Sequence, residues 1–502
     1  MTSVIAHWLG YCANKLCLQF SDIRISITNH ISSVARDTLQ VIEKVPDLLI
    51  RGGSIVMIGG VLKASIHVDK GKIVSISTQN NAHADEEIDA TGLYVLPGLI
   101  DTHVHFRDPG MTQKEDFLSG TRSAAKGGTT TIFDMPTTQP VVTSRWQFLE
   151  KVKLIQPKAI VDFALYGGAG VDNLSELAGI ADAGAIAFKT YMVAPPSQRT
   201  HEYAGTFVID SASLYRVIEQ VKGTGRLLCI HAEHDNIIRF LTERLQQEGR
   251  RDASAHSASR PQFTEALAVS EALIISDALK ARIHLLHIST AEAVSLIRHW
   301  KMNGSLATAE TCAHYLLLTK EALEKNVPNA KFNPPPRDAS DNQALWRALI
   351  DGTIDMVVSD HAPHSKQEKD EGKDDIWKAP PGTPGVETRL PLMLTAVANK
   401  QLTLVDVVRL CSTRPAQIYG LYPRKGVISV GSEADFAIVD LQRKWTLKSD
   451  ELETKARETF LFDGWEVRGK CVATYLRGKL VMKDGHILGA PGEGLLLRPL
   501  GN

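Results

Sequence analysis

Residues 95–110 read VLPGLIDTHVHFRDPG, an apolar run that stops abruptly at ionisable side chains. Seven further stretches repeat this form: GTTTIFDMP (128–136), VDFALYGG (161–168), GAIAFKTYM (184–192), RLLCIHAEH (226–234), RIHLLHIST (282–290), SLATAETCAHY (305–315) and TIDMVVSDHAPH (353–364). Between them lie helix-length segments such as TEALAVSEALIISDALKA (264–281). Near-continuous apolar strands separated by helices are the pattern of parallel βα units, and eight of them predict a closed (β/α)8 TIM-like barrel of the α/β class. In at least five runs the apolar segment ends in His, Lys, Glu or Asp, so ionisable groups gather at the C-terminal mouth, where barrel enzymes keep their chemistry.

Outward from the barrel the grammar changes. DLLIRGGSIVMIGG (47–60), LKASIHVDKG (62–71) and KIVSIS (72–77) are short β-like runs broken by turn glycines, and EADFAIVDL (433–441), CVATYLRGKLVMKDG (471–485) and HIL (486–488) repeat them near the other end. The two ends are therefore expected to form one small β-sandwich. The expected division is an extension over 1–46, sandwich parts over 47–97 and 421–490, the barrel over 98–420 and a tail over 491–502. The extension fits a secretory signal poorly, lacking a basic start and a small-residue cleavage site, and Asp22, Asp37 and Glu43 weigh against a transit peptide.

Composition narrows the partners. The 502 residues are 43% hydrophobic and 23% charged, with 56 basic side chains against 57 acidic, so bulk charge points to neither nucleic acid nor an acidic membrane surface. No stretch approaches the roughly 18 uninterrupted apolar residues of a membrane span. Six cysteines without a CxxC pair fit free thiols in a reducing compartment, and a cytoplasmic location is expected.

The 17 histidines are unevenly informative. His103 and His105 are two apart, so on a strand both imidazoles point to one side and can chelate a metal. Lys189, His231, His287 and Asp360 end four other runs. A single buried His is more often a hydrogen-bonded core residue than a ligand, but four His and an Asp at strand ends suit zinc. Arg107, two beyond His105, is expected on the same face if the strand continues, where its fork matches a carboxylate. A salt bridge to Asp108 is the plainer alternative. The charged, then Pro/Gly-rich segment 365–385 reads as a solvated loop, with the option of covering the barrel mouth. LTERLQQEGRRD (241–252) reads as a surface helix face.

Taken together, DTHVHFRDPG, GGTTTIFDMP, FKTYM, HAE, the HxxHxS of His284 to Ser289, ETCAHY, NPPPR, SDHAPH and PGVETRLPL resemble the cyclic amidohydrolases of the amidohydrolase superfamily, over roughly residues 47–490. Dihydroorotases match best, through His-x-His-x-Arg, FRDPG, DHAPH and PGVET; allantoinases and hydantoinases are near relatives. The resemblance implies two zinc ions per chain, His103, His105 and Asp360 holding the first and His231 and His287 the second, with Lys189 bridging both as an N6-carboxylated lysine. It further implies Asp360 as general base, and substrate contacts from Arg107, His364, Asn333 and Gly385. Where dihydroorotases show Met-Pro-Asn-Thr this chain has Met135-Pro136-Thr137-Thr138, so Thr137 replaces an amide on the substrate carboxylate. The implied reaction is ring opening of dihydroorotate or a related carboxylated ring, with an allantoinase or a hydantoinase/dihydropyrimidinase as the alternative and a non-catalytic scaffold behind both. A homodimer or homotetramer is expected by analogy alone.

Overall fold

The computed structural model describes residues 45–78, 83–195 and 197–500, so all but the last two residues of the expected extension lie outside the described residues. The first strands are β1 (Leu48–Met57), β2 (Gly60–Asp69), β3 (Lys72–Ser77), β4 (Glu86–Asp89) and β5 (Tyr94–Pro97). The eight apolar runs then become β6 (Leu99–Val104), β7 (Thr129–Asp134), β8 (Asp162–Gly168), β9 (Ala187–Tyr191), β10 (Leu227–His231), β11 (Ile283–Leu285), β12 (Thr308–Cys312) and β13 (Met356–Val358). They pair in chain order, all parallel. The ring closes between its first and last strands. The buried Arg389 donates from Nη1 to Ile100 O (3.0 Å) on β6 and Val357 O (3.1 Å) on β13, and a parallel bridge links Val104 to His361.

The barrel interior is packed. Phe133 and Tyr166 point inward, and Tyr419 meets Phe133 edge-on at 5.0 Å between ring centroids. The first outer helix, Phe117–Lys126, begins at a capping box in which Asp116 and Ser119 satisfy each other's backbone amides.

After the barrel the chain returns to the first sheet with β14 (Phe436–Thr446), β15 (Glu466–Leu476), β16 (Lys479–Lys483) and β17 (His486–Ile487). The order is β17-β16-β15-β14-β5-β1-β2-β3, with β4 beside β1. The turns Lys70-Gly71, Arg477-Gly478 and Asp484-Gly485 have both residues at positive φ, the two-residue hairpin geometry that fits strand twist. The mostly antiparallel sheet curls on itself, bringing Lys72 to Glu433, around a core that includes Ile50, Ile66, Phe436 and Tyr475. The architecture is a (β/α)8 barrel with a β-sandwich built from both ends of the chain. Sandwich and barrel are joined through buried charge: Lys425 Nζ lies 2.8 Å from Asp162 on β8, 2.8 Å from Glu433 and 2.5 Å from Asp435. Among the described residues no helix is long and apolar enough to cross a membrane.

Candidate active site

At the C-terminal mouth four imidazoles, one ammonium and one carboxylate converge. His103 turns Nδ1 to Glu310 Oε1 (2.6 Å) and Nε2 to Asp360 Oδ1 (3.3 Å); His105 turns Nδ1 to Thr137 Oγ1 (2.9 Å) and Nε2 to the same Asp360 oxygen (3.6 Å). His231 is anchored through Nε2 on Glu233 Oε2 (2.7 Å), so its Nδ1 faces His287 Nε2 at 3.0 Å. Ring centroids of His103 and His287 are 5.4 Å apart, which brings the two histidine pairs together. The ammonium of Lys189 is fully buried, has no hydrogen-bond partner, and sits 4.3 Å from the Tyr191 ring centre.

Three residues at the barrel mouth are held in strained backbone. Arg107 (φ 60), His287 (φ 37) and Asp360 (φ 45) occupy the left-handed region that non-glycine residues avoid at a cost of about 1–3 kcal/mol each. Other positive-φ residues sit in ordinary turns, such as Lys70 and Asp484, whereas these three all follow the ends of barrel strands. Gly110, at φ 95, closes the loop that carries Arg107, where a Cβ would lie 2.3 Å from Gln139 O.

Burial sets the charge states. It drives His105 and His287 well below the ordinary imidazole range, neighbouring cations adding to the effect, and it takes His231 down to about 4. Burial lowers Lys189 to about 8 and raises the Asp360 carboxyl, against the pull of His103 and Lys189. It also opposes ionisation of Glu310, but the imidazoles of His103 and His284 outweigh it and hold that carboxyl at about 2. Glu233 is likewise held well below the carboxylate range, Arg260 and His231 overcoming its burial.

These residues fit a metal centre. His103, His105 and Asp360 bring one ligand atom each within 4.8 Å of one another. Each of His103, His105 and His231 has one ring nitrogen tied to an acceptor, which leaves the other directed at the centre, the arrangement by which outer partners orient metal-binding histidines. The unpartnered Lys189 Nζ, shut away from water, is the atom that N-carboxylation would convert from a repelled cation into an anionic bridge.

The centre opens into a cavity at the barrel mouth. His103, His105, Arg107, Lys189, His231, His287, Asn333 and Asp360 all line it. Arg107 is 2% exposed, with Nε and Nη1 unpartnered and no carboxylate within ion-pair distance among the described residues; Asp108 is paired with Lys158 instead (2.7 Å). The Asn333 carbonyl oxygen is also buried without a partner. The other three predicted contacts stand one layer back. Thr137 Oγ1 is on His105, His364 Nε2 accepts a hydrogen bond from Arg107 Nη2 at 3.3 Å, and the Gly385 amide donates to His361 Nδ1 at 3.1 Å. Burial and Arg107 hold His364 neutral, which suits an imidazole that supports a guanidinium.

Strand β6 ends at Val104, so the expected continuation of the strand to Arg107 does not occur; the residue reaches the cavity through its left-handed backbone. The segment 365–385 is not free loop either. Lys331, buried, donates to Ile376 O and Ala379 O (both 2.7 Å), and Pro381 and Gly382 line the cavity. Sequence reasoning missed Glu310, Glu233 and Arg260. Their one signal was adjacency, Glu233 within HAE and Glu310 opening ETCAHY.

Comparison with known proteins follows this geometry. The family description "Amidohydrolase family" matches residues 94–481. The solved L-hydantoinase (dihydropyrimidinase) of Arthrobacter aurescens superposes with a TM-score of 0.86 at 35% identity, over 90% of this chain and 99% of that one. Allantoinase of Deinococcus radiodurans is 36% identical over 90% of this chain and 99% of its own length. Dihydroorotase of Methanothermobacter thermautotrophicus is 36% identical over 86% and 94%.

Proposed function

This chain belongs to the amidohydrolase family, and on that premise we propose that it is a metal-dependent hydrolase that opens the ring of a small cyclic amide. The observation that carries the reading is the convergence of His103, His105, His231, His287, Lys189 and Asp360 on one buried point at the barrel mouth. In this reading His103, His105 and Asp360 would hold one zinc ion and His231 and His287 a second, with Lys189, once N6-carboxylated, as a shared anionic ligand. Such a pair supplies water activated at neutral pH and a Lewis acid for the scissile carbonyl.

The protein's own groups do the rest. Asp360, 14% exposed at its side chain, takes the proton of the attacking water and returns it to the departing ring nitrogen, which leaves poorly unless protonated. Glu310, Thr137 and Glu233 fix the rings of His103, His105 and His231. Arg107, steadied by His364, offers its two unpartnered nitrogens to a substrate carboxylate, and Asn333 its free carbonyl to a ring N–H. Gly385 acts through His361. This favours dihydroorotate or another carboxylated ring.

A second reading, an uncharged ring as in hydantoinases and allantoinases, is supported by Thr137: its oxygen is held by His105, one layer back from the cavity that Arg107 lines. A homodimer or homotetramer in the cytoplasm completes the proposal, and the four cysteines among the described residues are free and buried, as a reducing compartment allows.

Elemental analysis of protein purified with bicarbonate and zinc is expected to give about two metals per chain. A value near zero would instead support the non-catalytic scaffold. Hydrolysis assays run side by side on dihydroorotate, hydantoin, dihydropyrimidines and allantoin then rank the substrates, and turnover of the neutral rings alone overturns the carboxylate reading.

A further inference from the structure

A second cavity shares no lining residue with the first. It lies where helix Phe117–Lys126 and the start of helix Arg389–Ala398 face β14, β15 and the turn before β17. Pro391, Leu447, Leu452 and the indole of Trp445 give it apolar walls, and the Trp445 ring is fixed by its N–H to Gly469 O (3.1 Å). Three ammonium groups meet there. Lys126 pairs with Glu387 (3.2 Å) and Lys448 with Glu451 (3.1 Å). Lys470, however, lies 4.4 Å from the Trp445 ring centre and has no carboxylate within ion-pair distance among the described residues. Apolar walls and an aromatic face with one surplus cation held over it are complementary to a planar organic anion.

The walls of this cavity also reach the proposed catalytic centre by two routes. Glu387 Oε2 accepts the Glu453 amide (2.9 Å); the next residue, Thr454, donates its hydroxyl to Glu115; and Glu115 accepts from His361 Nε2 (3.2 Å). From the other side, the amides of Gly385 and Val386, next to Glu387 in the chain, donate to Nδ1 of the same imidazole at 3.1 and 3.4 Å. His361 follows Asp360 directly, and its carbonyl accepts the His105 amide at 2.7 Å. One buried ring thus stands between the cavity wall and two residues of the centre.

We propose that this cavity binds a flat aromatic carboxylate, and that occupancy is felt at Asp360 through the Glu387, Glu453 and Gly385 contacts on His361. The binding half is independent of the enzymatic reading; only the transmitted half rests on it.

Calorimetric titration of the full-length protein with 2-naphthoate tests the first half. One saturable site per chain is expected, weakened about tenfold by Lys470→Gln, the loss of one charge-assisted contact, and unchanged by Arg107→Ala. No saturable heat, or an affinity unchanged in Lys470→Gln, overturns the site; heat abolished by Arg107→Ala assigns the probe to the first cavity and overturns it as well. Amide hydrogen exchange tests transmission without any need for turnover. Slower exchange at Gly385, Val386 and His105 on adding the probe, absent in Lys470→Gln, supports it, and unchanged exchange at those amides overturns it. Unaltered melting of Lys470→Gln shows that the variant is folded.

Discussion

Arg107 sits in a buried cavity with two nitrogens that bond nothing, and a buried guanidinium so placed gains from an anionic ligand that would pair with them. A charge-assisted hydrogen bond is worth about 1.5–3 kcal/mol, so Arg107→Ala is expected to raise KM for a carboxylated ring about tenfold or more while barely moving it for an uncharged ring; steady-state kinetics on both substrates decides, and equal losses refute the role. Glu310 acts one layer out. Replacing it by Gln removes the charge that fixes His103, and metal affinity should fall about 10–100-fold in chelator competition. Residues of these two kinds were not equally legible. His103, His105, Lys189, His231, His287 and Asp360 each end an apolar run, and that interruption is visible in one dimension. Glu310 lies mid-strand in β12 and Glu233 two residues past β10, and an acid in either place looks like a solvated group until its burial against a histidine is known. Arg107 was found for a reason that the backbone does not follow, since the strand stops three residues before it.

At the level of elements, the strands were legible because full burial on both faces leaves an uninterrupted apolar string, and the hairpins because glycine marks the positive-φ turns. The segment 365–385 was not, because its charges suggested solvent while Lys331 binds its carbonyls from beneath and its own Lys369 reaches down to Asn329 O, contacts with backbone carbonyls that carry no sequence signal. Helix Phe117–Lys126 illustrates a local determinant that can be isolated. Asp116 caps it and also pairs with Lys455 (2.6 Å). Asp116→Ala should therefore cost about 1–2 kcal/mol, read as a lower midpoint in urea with the slope unchanged.

Across the whole molecule, stability depends on the seam between barrel and sandwich. Lys425 is surrounded by Asp162, Glu433 and Asp435, and its ammonium is held well above the ordinary lysine range by those carboxylates in spite of burial. Lys425→Met leaves the buried Asp435 without its cation, while Asp162 keeps Arg477 and Glu433 keeps Arg424, and a loss of about 3–5 kcal/mol is expected in equilibrium denaturation. Glu387, at the same seam, carries a pH dependence of opposite origin: burial, opposed by Lys126, raises its carboxyl from 4.5 to about 7. The folded protein therefore binds the extra proton between these values, and the contribution present below pH 4.5 is lost as pH rises through about 7. Glu387→Gln should flatten melting temperature against pH in that window, and an unchanged profile would contradict the assignment.

The pairing of β5 with β14 has a consequence for how the protein is made. Tyr94–Pro97 hydrogen-bonds to Phe436–Val439, with the entire barrel between them in the chain. At roughly 5–20 residues per second on the ribosome, the β5 edge waits on the order of tens of seconds for its partner, with its ladder groups unpaired. During that interval the nascent sandwich presents an open strand edge of the kind that recruits other chains. Yield of native protein should then depend on translation speed and on chaperones that shield β5, more than on the stability of the finished fold.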